Sequence, residues 1–257
     1  MYRTQYLDPK IQELITFTDI INEEKSMFNK KTLCTLIVIL FLGVGGLWAG
    51  DIASFVDLGF SPDGRTYMFA QYGVQSGTLK PWADLFVVDV PMNNFVNGGK
   101  ISYVHDRPVV SGQDGSGAFY RVFSRNTSMT EKYAVDHCIQ GQPLYIALDN
   151  GGPTGPVEFR DFEAGASYRA TLTSNAEGSG TNLVSSFFIN LERTARDGSR
   201  KIYTVGTPQL KRPLITSYRI RKVIIAPHDG SMIIVIEMKK QDGAETDIRY
   251  MVEALKL

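Results

Sequence analysis

The sequence predicts a mainly β domain, an antiparallel sandwich or propeller-like sheet carrying one short helical insertion near residues 116–138. Three observations predict it. Short apolar runs recur from Phe55 to Ala254, separated by clusters of Gly, Asn, Asp and Pro, which is the spacing of an all-β domain. Tyr168-Arg169-Ala170-Thr171-Leu172 and Tyr218-Arg219-Ile220-Arg221-Lys222-Val223 alternate in period two, as strands with one covered face do. Helical spacing is confined, after residue 50, to the short stretch around Phe119, Val122 and Phe123.

Residues 1–26 carry Ile11, Leu14, Ile15 and Ile20-Ile21 at loosely helical spacing. They read as an upstream over-call of the start or as a short cytoplasmic segment. Residues 27–49 read as a bacterial-type signal peptide. Lys30 and Lys31 form its basic n-region, residues 33–42 its apolar h-region, and Leu47-Trp48-Ala49 places a small residue at the cleavage position. Residues 32–50 are 19 uncharged positions. At about 1.5 Å per residue they also suffice to span a bilayer. The alternative is therefore an uncleaved transmembrane signal anchor at the inner membrane, with the remainder outside the cytoplasm. Gly43, Gly45 and Gly46 at the distal end favour cleavage, and Cys34 opens the apolar run where a lipoprotein cysteine would close it. Residues 50–257 then form a single exported β-rich domain, periplasmic or secreted.

Charge excludes some functions. The chain holds 27 Lys and Arg against 27 Asp and Glu, and the first 49 residues hold five of each, so the exported part is neutral too. It has no electrostatic bias toward nucleic acid, and none toward an anionic membrane beyond the N-terminal segment. Once the signal is removed Cys138 is the only cysteine, so no internal disulfide forms. It is expected as a small buried apolar residue at the end of the helical zone.

The strands follow in order. Phe55-Val56-Asp57-Leu58-Gly59-Phe60, a Ser61-Pro62-Asp63-Gly64 turn and Thr66-Tyr67-Met68-Phe69-Ala70 make a hairpin, with Pro62 presetting φ at the second turn position. A Gly/Ser connection at 73–81 leads to residues 84–90, whose unbroken apolar run predicts a strand covered on both faces. The helical zone spans 112–139, with Ser116 as N-cap and Thr127 or Ser128 capping a second turn. Further strands are predicted at 144–148, 157–162, 167–173, 183–192, 201–205, 215–225, 231–237 and 248–254, with turn clusters at 149–153 and 175–181.

One repeat joins the ends. The segment from Phe60 to Ala70 corresponds to that from Ala226 to Ile236 with His228 inserted, and Phe86-Val87-Val88-Asp89 corresponds to Tyr250-Met251-Val252-Glu253. Apolar strands on both units need covering, which predicts that units 60–90 and 225–254 lie side by side in one sheet. The two turns, Ser61-Pro62-Asp63-Gly64 and Pro227-His228-Asp229-Gly230, resemble the hairpins of TolB-like β-propellers. Across 51–257 the chain is similar to a family of predicted secreted bacterial proteins of unknown function. Gly59-Phe60-Ser61-Pro62-Asp63-Gly64, Gln71-Tyr72-Gly73-Val74-Gln75-Ser76-Gly77 and Ala83-Asp84-Leu85-Phe86-Val87-Val88-Asp89 carry that likeness. The resemblance implies export and no activity.

Candidate chemistry is sparse. His105, His137 and His228 lack metal-ligand spacing and read as structural, and neither a GxSxG elbow nor an SxxK occurs. No catalytic residue, metal or cofactor is assigned. Glu158, Asp161 and Glu163 form the densest carboxylate group; with Asp161 and Glu163 on one strand face they suit acid/base work or a hard cation, or form a solvated face. Tyr72 and Trp82, with Phe86, suit sugar stacking or a partner peptide, or core packing beneath the hairpin. Arg219, Arg221 and Lys222 read as an outer strand face, and Gln113-Asp114-Gly115-Ser116-Gly117 as a turn before the helix. The resulting expectation is an exported envelope protein, a non-enzymatic binding or structural protein whose partner is an envelope protein or glycan. The alternative is an envelope hydrolase or carbohydrate-binding module working through Glu158, Asp161 or Trp82.

The exported form is expected to begin at Gly50 or Asp51, as N-terminal sequencing will show. An intact N-terminus in the membrane fraction establishes the anchor instead.

Overall fold

The strand β12 (Met232–Asp242) begins with six consecutive buried residues, Met232 to Glu237, and the architecture follows from covering both of its faces. The computed structural model describes residues 50–148, 155–227, 229–243 and 245–257. The signal or anchor reading, Cys34, the 149–153 turn cluster and His228 lie outside these.

An N-terminal sheet is a meander of β1 (Ser54–Phe60), β2 (Thr66–Val74), β3 (Pro81–Asp89) and β4 (Asn94–Val104), in spatial order β1-β2-β3-β4. Helices α1 (Ser116–Ser124) and α2 (Thr127–Lys132) follow. A central sheet has the order β13-β12-β11-β5, from β5 (Gln142–Ile146), β11 (Ile215–Ile225), β12 and β13 (Glu245–Leu255). A distal sheet has the order β10-β8-β7-β6, from β6 (Val157–Asp161), β7 (Ala166–Glu177), β8 (Val184–Thr194) and β10 (Arg212–Pro213). In this sheet β9 (Arg200–Val205) also pairs with β8.

Alternation along β12 splits its side chains between two cores. Ile233 and Val235, with Ile224, Tyr250 and Val252, meet Phe60, Tyr67, Phe69, Phe86 and Val88 of the N-terminal sheet. Met232, Ile234 and Ile236 meet Phe159, Tyr168, Phe187, Ile189 and Leu191 of the distal sheet. A third core lies on the outer face of the N-terminal sheet, where Met68, Leu85 and Val87 are covered by Ala118, Phe119 and Val122 of α1. The layers therefore run helix, N-terminal sheet, central sheet, distal sheet. This is a stacked, sandwich-like β fold, and among the described residues no ring of sheets closes into a barrel or propeller. No helix of the described residues is long and apolar enough to cross a membrane. Among the described residues, the buried members of the three cores lie within 53–254.

The two repeated units do not share a sheet. They face each other across the first core, because edge pairing would leave their apolar faces open to water, whereas face-to-face stacking covers them. Their turns meet: a Cβ on Gly64, which adopts φ 70°, would come within 2.8 Å of Asp229 Oδ1. In each turn the aspartate Oδ1 accepts the N–H two residues on, Asp63 from Arg65 at 3.1 Å and Asp229 from Ser231 at 2.9 Å. The Ser61 carbonyl accepts the Gly64 N–H at 2.9 Å and the Ser61 hydroxyl donates to Asp63. In the second turn the Ser231 hydroxyl donates to Asp229. Among the described residues, the ladder pairing between the N-terminal segment and β13 is one parallel bridge, Ile52 with Ile248.

Other expectations also change. β4 was hidden by Asn94, Asn97 and Gly98-Gly99, turn-formers that a bulged edge strand tolerates; its register against β3 slips between Phe86 and Val88. β7 runs through the Asn175 turn cluster because β8 pairs with it as far as Glu177. Two helices replace one. Gly115 occupies the N-cap position in the left-handed region, and Asp114 Oδ1 accepts the Ser116 N–H at 2.9 Å. Asn126, rather than Thr127 or Ser128, is the N-cap residue of α2. Cys138 is exposed, not buried. Its segment is pinned to β1 by the Asp136 N–H to the Phe60 carbonyl and the Phe60 N–H to the Ile139 carbonyl, which packs Ile139 inward and turns Cys138 out.

Phe69 is fully buried, stacked on Phe86 at 4.6 Å and Phe55 at 5.5 Å. Urea unfolding of Phe69→Ala is expected to show a loss of about 3–5 kcal/mol. The exposed Phe162→Ala should stay within about 0.5 kcal/mol of the parent.

Candidate functional site

β4 delivers Tyr103 to the outer side of the N-terminal sheet, and the chain beyond it is clamped to the loop between β2 and β3. The His105 N–H donates to the Pro81 carbonyl and the Val109 N–H to the Leu79 carbonyl, both at 2.8 Å. The glycine-rich run 111–117 then turns into α1. Gly115 has φ 81°, and a Cβ there would approach the Gly73 carbonyl to 2.6 Å, so a side chain is excluded twice over. Because Ala118, Phe119 and Val122 of α1 are held in the third core, Arg121 is turned toward Tyr103.

Together these elements enclose a cleft of about 720 Å³. It is lined by Tyr103, His105, Arg107, Arg121 and the Gly112–Gly117 loop, with Pro81, Val109 and Ala118 as apolar wall. Arg121 Nη1 donates to the Tyr103 hydroxyl at 3.1 Å, and that hydroxyl lies 2.9 Å from His105 Nδ1. The guanidiniums of Arg121 and Arg125 lie over the Tyr103 ring at 5.8 and 5.9 Å. The Asp106 carboxylate lies 3.1 Å from His105 Nδ1. Asp114 is the one acidic residue of the lining. Hydrogen bonds from the Ser116 hydroxyl and N–H hold its carboxyl below the usual range, so it stays ionised and engaged. The cleft thus combines an apolar wall with donors suited to an anionic group.

Asp161 and Glu163 border one depression, and the other residues singled out from sequence are not brought together. Tyr72 is half-buried and stacks on Phe119 at 6.0 Å. Trp82 is 5% exposed, so it offers no surface for stacking a sugar. Its indole N–H donates to Asp51 Oδ2 at 2.5 Å, and the Arg249 guanidinium lies over its ring at 4.3 Å. Arg249 also donates to Asp51 at 2.8 Å and Asp247 at 3.2 Å, while the Asp51 N–H donates to Asp247 Oδ1 at 2.9 Å.

Glu158 is exposed and paired with Arg169 at 3.0 Å. β6 ends at Asp161, so Glu163 stands in the following turn rather than on the same strand face. Buried Asp161 spends Oδ1 on the N–H groups of Glu163 and Ala164, at 2.9 and 3.0 Å. Both residues border a broad depression that also includes Cys138, Gln140 and Pro227, but not Glu158. Among the described residues no group of three or more His, Cys, Asp or Glu is placed to hold a metal. Arg219, Arg221 and Lys222 are no solvated face: the first two flank buried Glu237, and Lys222 bridges to Asp57 at 3.1 Å.

Arg107 and Arg121 escaped sequence reasoning, and His105, read from sequence as structural, lines the cleft. The available signal was the Ser111-Gly112-Gln113-Asp114-Gly115-Ser116-Gly117 run entering a helix that carries Arg121, with His105-Asp106-Arg107 just upstream.

Residues 68–256 match the family described as predicted secreted protein (DUF2259), and the chain belongs to that family. No curated protein and no solved structure matches it.

Removing the Asp161 cap strands two backbone donors at the β6–β7 turn. Asp161→Ala is expected to lose about 1–3 kcal/mol in urea unfolding, and Asp161→Asn, which keeps an acceptor oxygen, distinctly less.

Proposed function

We propose that this member of a predicted secreted family is a non-enzymatic binding protein of the cell envelope, and that its cleft takes a small acidic ligand such as a phosphorylated or carboxylated sugar. One observation carries the reading: Arg107, Arg121, His105 and the Tyr103 hydroxyl line a single cleft whose only carboxylate, Asp114, is already engaged by Ser116. Its volume of about 720 Å³ suits a small molecule rather than a peptide segment. Arg121 offers a planar fork to a phosphate or carboxylate, and Pro81, Val109 and Ala118 offer an apolar wall to a sugar ring. Export to the envelope, where acidic glycans occur, fits the same ligand class. The hydrolase alternative has less support, because Glu158 is tied to Arg169 and Asp161 to its own turn.

Thermal unfolding with inorganic phosphate, glucose 6-phosphate, glucuronate and glucose tests this. A ligand at about 100 times its Kd adds roughly 2.7 kcal/mol, worth about 5–10 °C in a domain of this size. At least one acid is expected to raise Tm, glucose is not, and Arg121→Ala should abolish the shift. The reading fails if no acid raises Tm, if glucose does so equally, or if Arg121→Ala keeps the whole effect.

A further inference from the structure

A second polar cluster, remote in sequence from the cleft residues, is short of one positive charge. Asp51 and Asp247 are 4% and 5% exposed, and they share a single guanidinium, that of Arg249. Asp51 Oδ2 accepts from Trp82 and Arg249, but Oδ1 is buried with no hydrogen-bond partner among the described residues. Burial pushes the Asp51 carboxyl above its usual range despite the opposing pull of Arg249. Leaving a buried carboxylate oxygen unpaired is costly, so the site calls for a further donor, best a cationic one.

The neighbouring residue is placed to supply it. Gly50 packs so tightly on β13 that a Cβ would collide with the Thr246 carbonyl, which excludes a side chain, and the N–H of the very next residue, Asp51, donates to Asp247 Oδ1 at 2.9 Å, which ties residue 50 one position from the cluster. The next residues are fastened to the same strand by the Ile248 N–H to the Asp51 carbonyl at 2.8 Å and the Ala53 N–H to the Ile248 carbonyl at 3.1 Å.

We propose that the missing cation is the α-ammonium of Gly50, freed when the Ala49–Gly50 bond is cut, and that it completes the Asp51–Asp247–Arg249 cluster and locks the mature N-terminus onto β13. In the cut, catalysed by a signal peptidase, water adds across the amide. Ala49 leaves with the new carboxylate, and Gly50 keeps the nitrogen, which takes up a proton. Before cleavage that nitrogen is a neutral amide. Afterwards, with an ordinary pKa of about 7.7–8.0, it is mostly charged at neutral pH. Removal of the export signal is then also the step that tightens the fold.

The test compares two forms of residues 50–257, one with a free α-amine and one acetylated on Gly50. At pH 7 the free-amine form is expected to melt about 2–4 °C higher, and the difference should vanish in Asp247→Asn. At pH 10 the amine is mostly neutral, so the two forms should melt together. This second comparison decides the matter even if Asp247→Asn fails to fold. Equal melting at pH 7, or a difference that survives at pH 10, overturns the latch. Sequencing of the exported protein reads the cut separately, and a start other than Gly50 overturns its placement.

Discussion

Burial of the central sheet on both faces is the constraint from which the rest follows. A strand such as β12, apolar on both sides, cannot fold against one partner layer, because either exposed face would leave a row of Ile and Met side chains in water. It requires a sheet on each side. Once the N-terminal sheet is recruited to one of them, that sheet has its own apolar outer face to cover, through Met68, Leu85 and Val87. α1 answers that need and, in docking Phe119 and Val122, brings Arg121 to Tyr103. The candidate site is thus three layers removed from the distal sheet, yet it depends on the same demand for apolar cover.

Local chemistry made part of this legible from sequence. β11 occupies 215–225 as its period-two pattern and apolar content require, and the Pro-Asp-Gly hairpin turn forms where Ser61, Pro62, Asp63 and Gly64 favour it. What escaped depended on partners distant in sequence. β4 owes its strand conformation to β3 rather than to its own Asn and Gly content. Cys138 is turned outward by backbone bonds to Phe60, some eighty positions earlier in the chain. The like sequences do form like units, β1-β2-β3 and β11-β12-β13, but sequence likeness alone does not distinguish edge pairing from face-to-face stacking. The choice is made by the apolar residues on both faces of β2 and β3, which only stacking covers.

The same distinction explains the candidate sites. Trp82 and the Glu158, Asp161, Glu163 group were conspicuous because aromatic and acidic residues stand out in a string of letters. In the fold the indole is consumed by Asp51 and Arg249, and Asp161 by a turn. His105, Arg107 and Arg121 were inconspicuous because they lie on three different pieces: a strand exit, a linker and a helix. Only the clamp to Pro81 and Leu79 and the docking of α1 bring them to one cleft. A site of this kind has no local motif to find.

The two repeated hairpins show why the cleft lies where it does. Both bury one face in the shared core, but their outer faces are covered differently. The outer face of the β11–β12–β13 unit meets the broad distal sheet, which seals it with aromatic and branched side chains from Phe159 to Val205. The outer face of the β1–β2–β3 unit meets mainly a helix of nine residues, Ser116–Ser124, laid across strands of seven to nine residues. A helix about 13–14 Å long cannot seal such a surface. The uncovered margin, beside Pro81 and beyond the end of β4, is where the glycine-rich loop and the His105–Arg107 linker stand away from the sheet. A sealed face gives stability alone, whereas a partly sealed face leaves room beside a rigid wall, and the polar side chains on its rim are then free to meet a ligand.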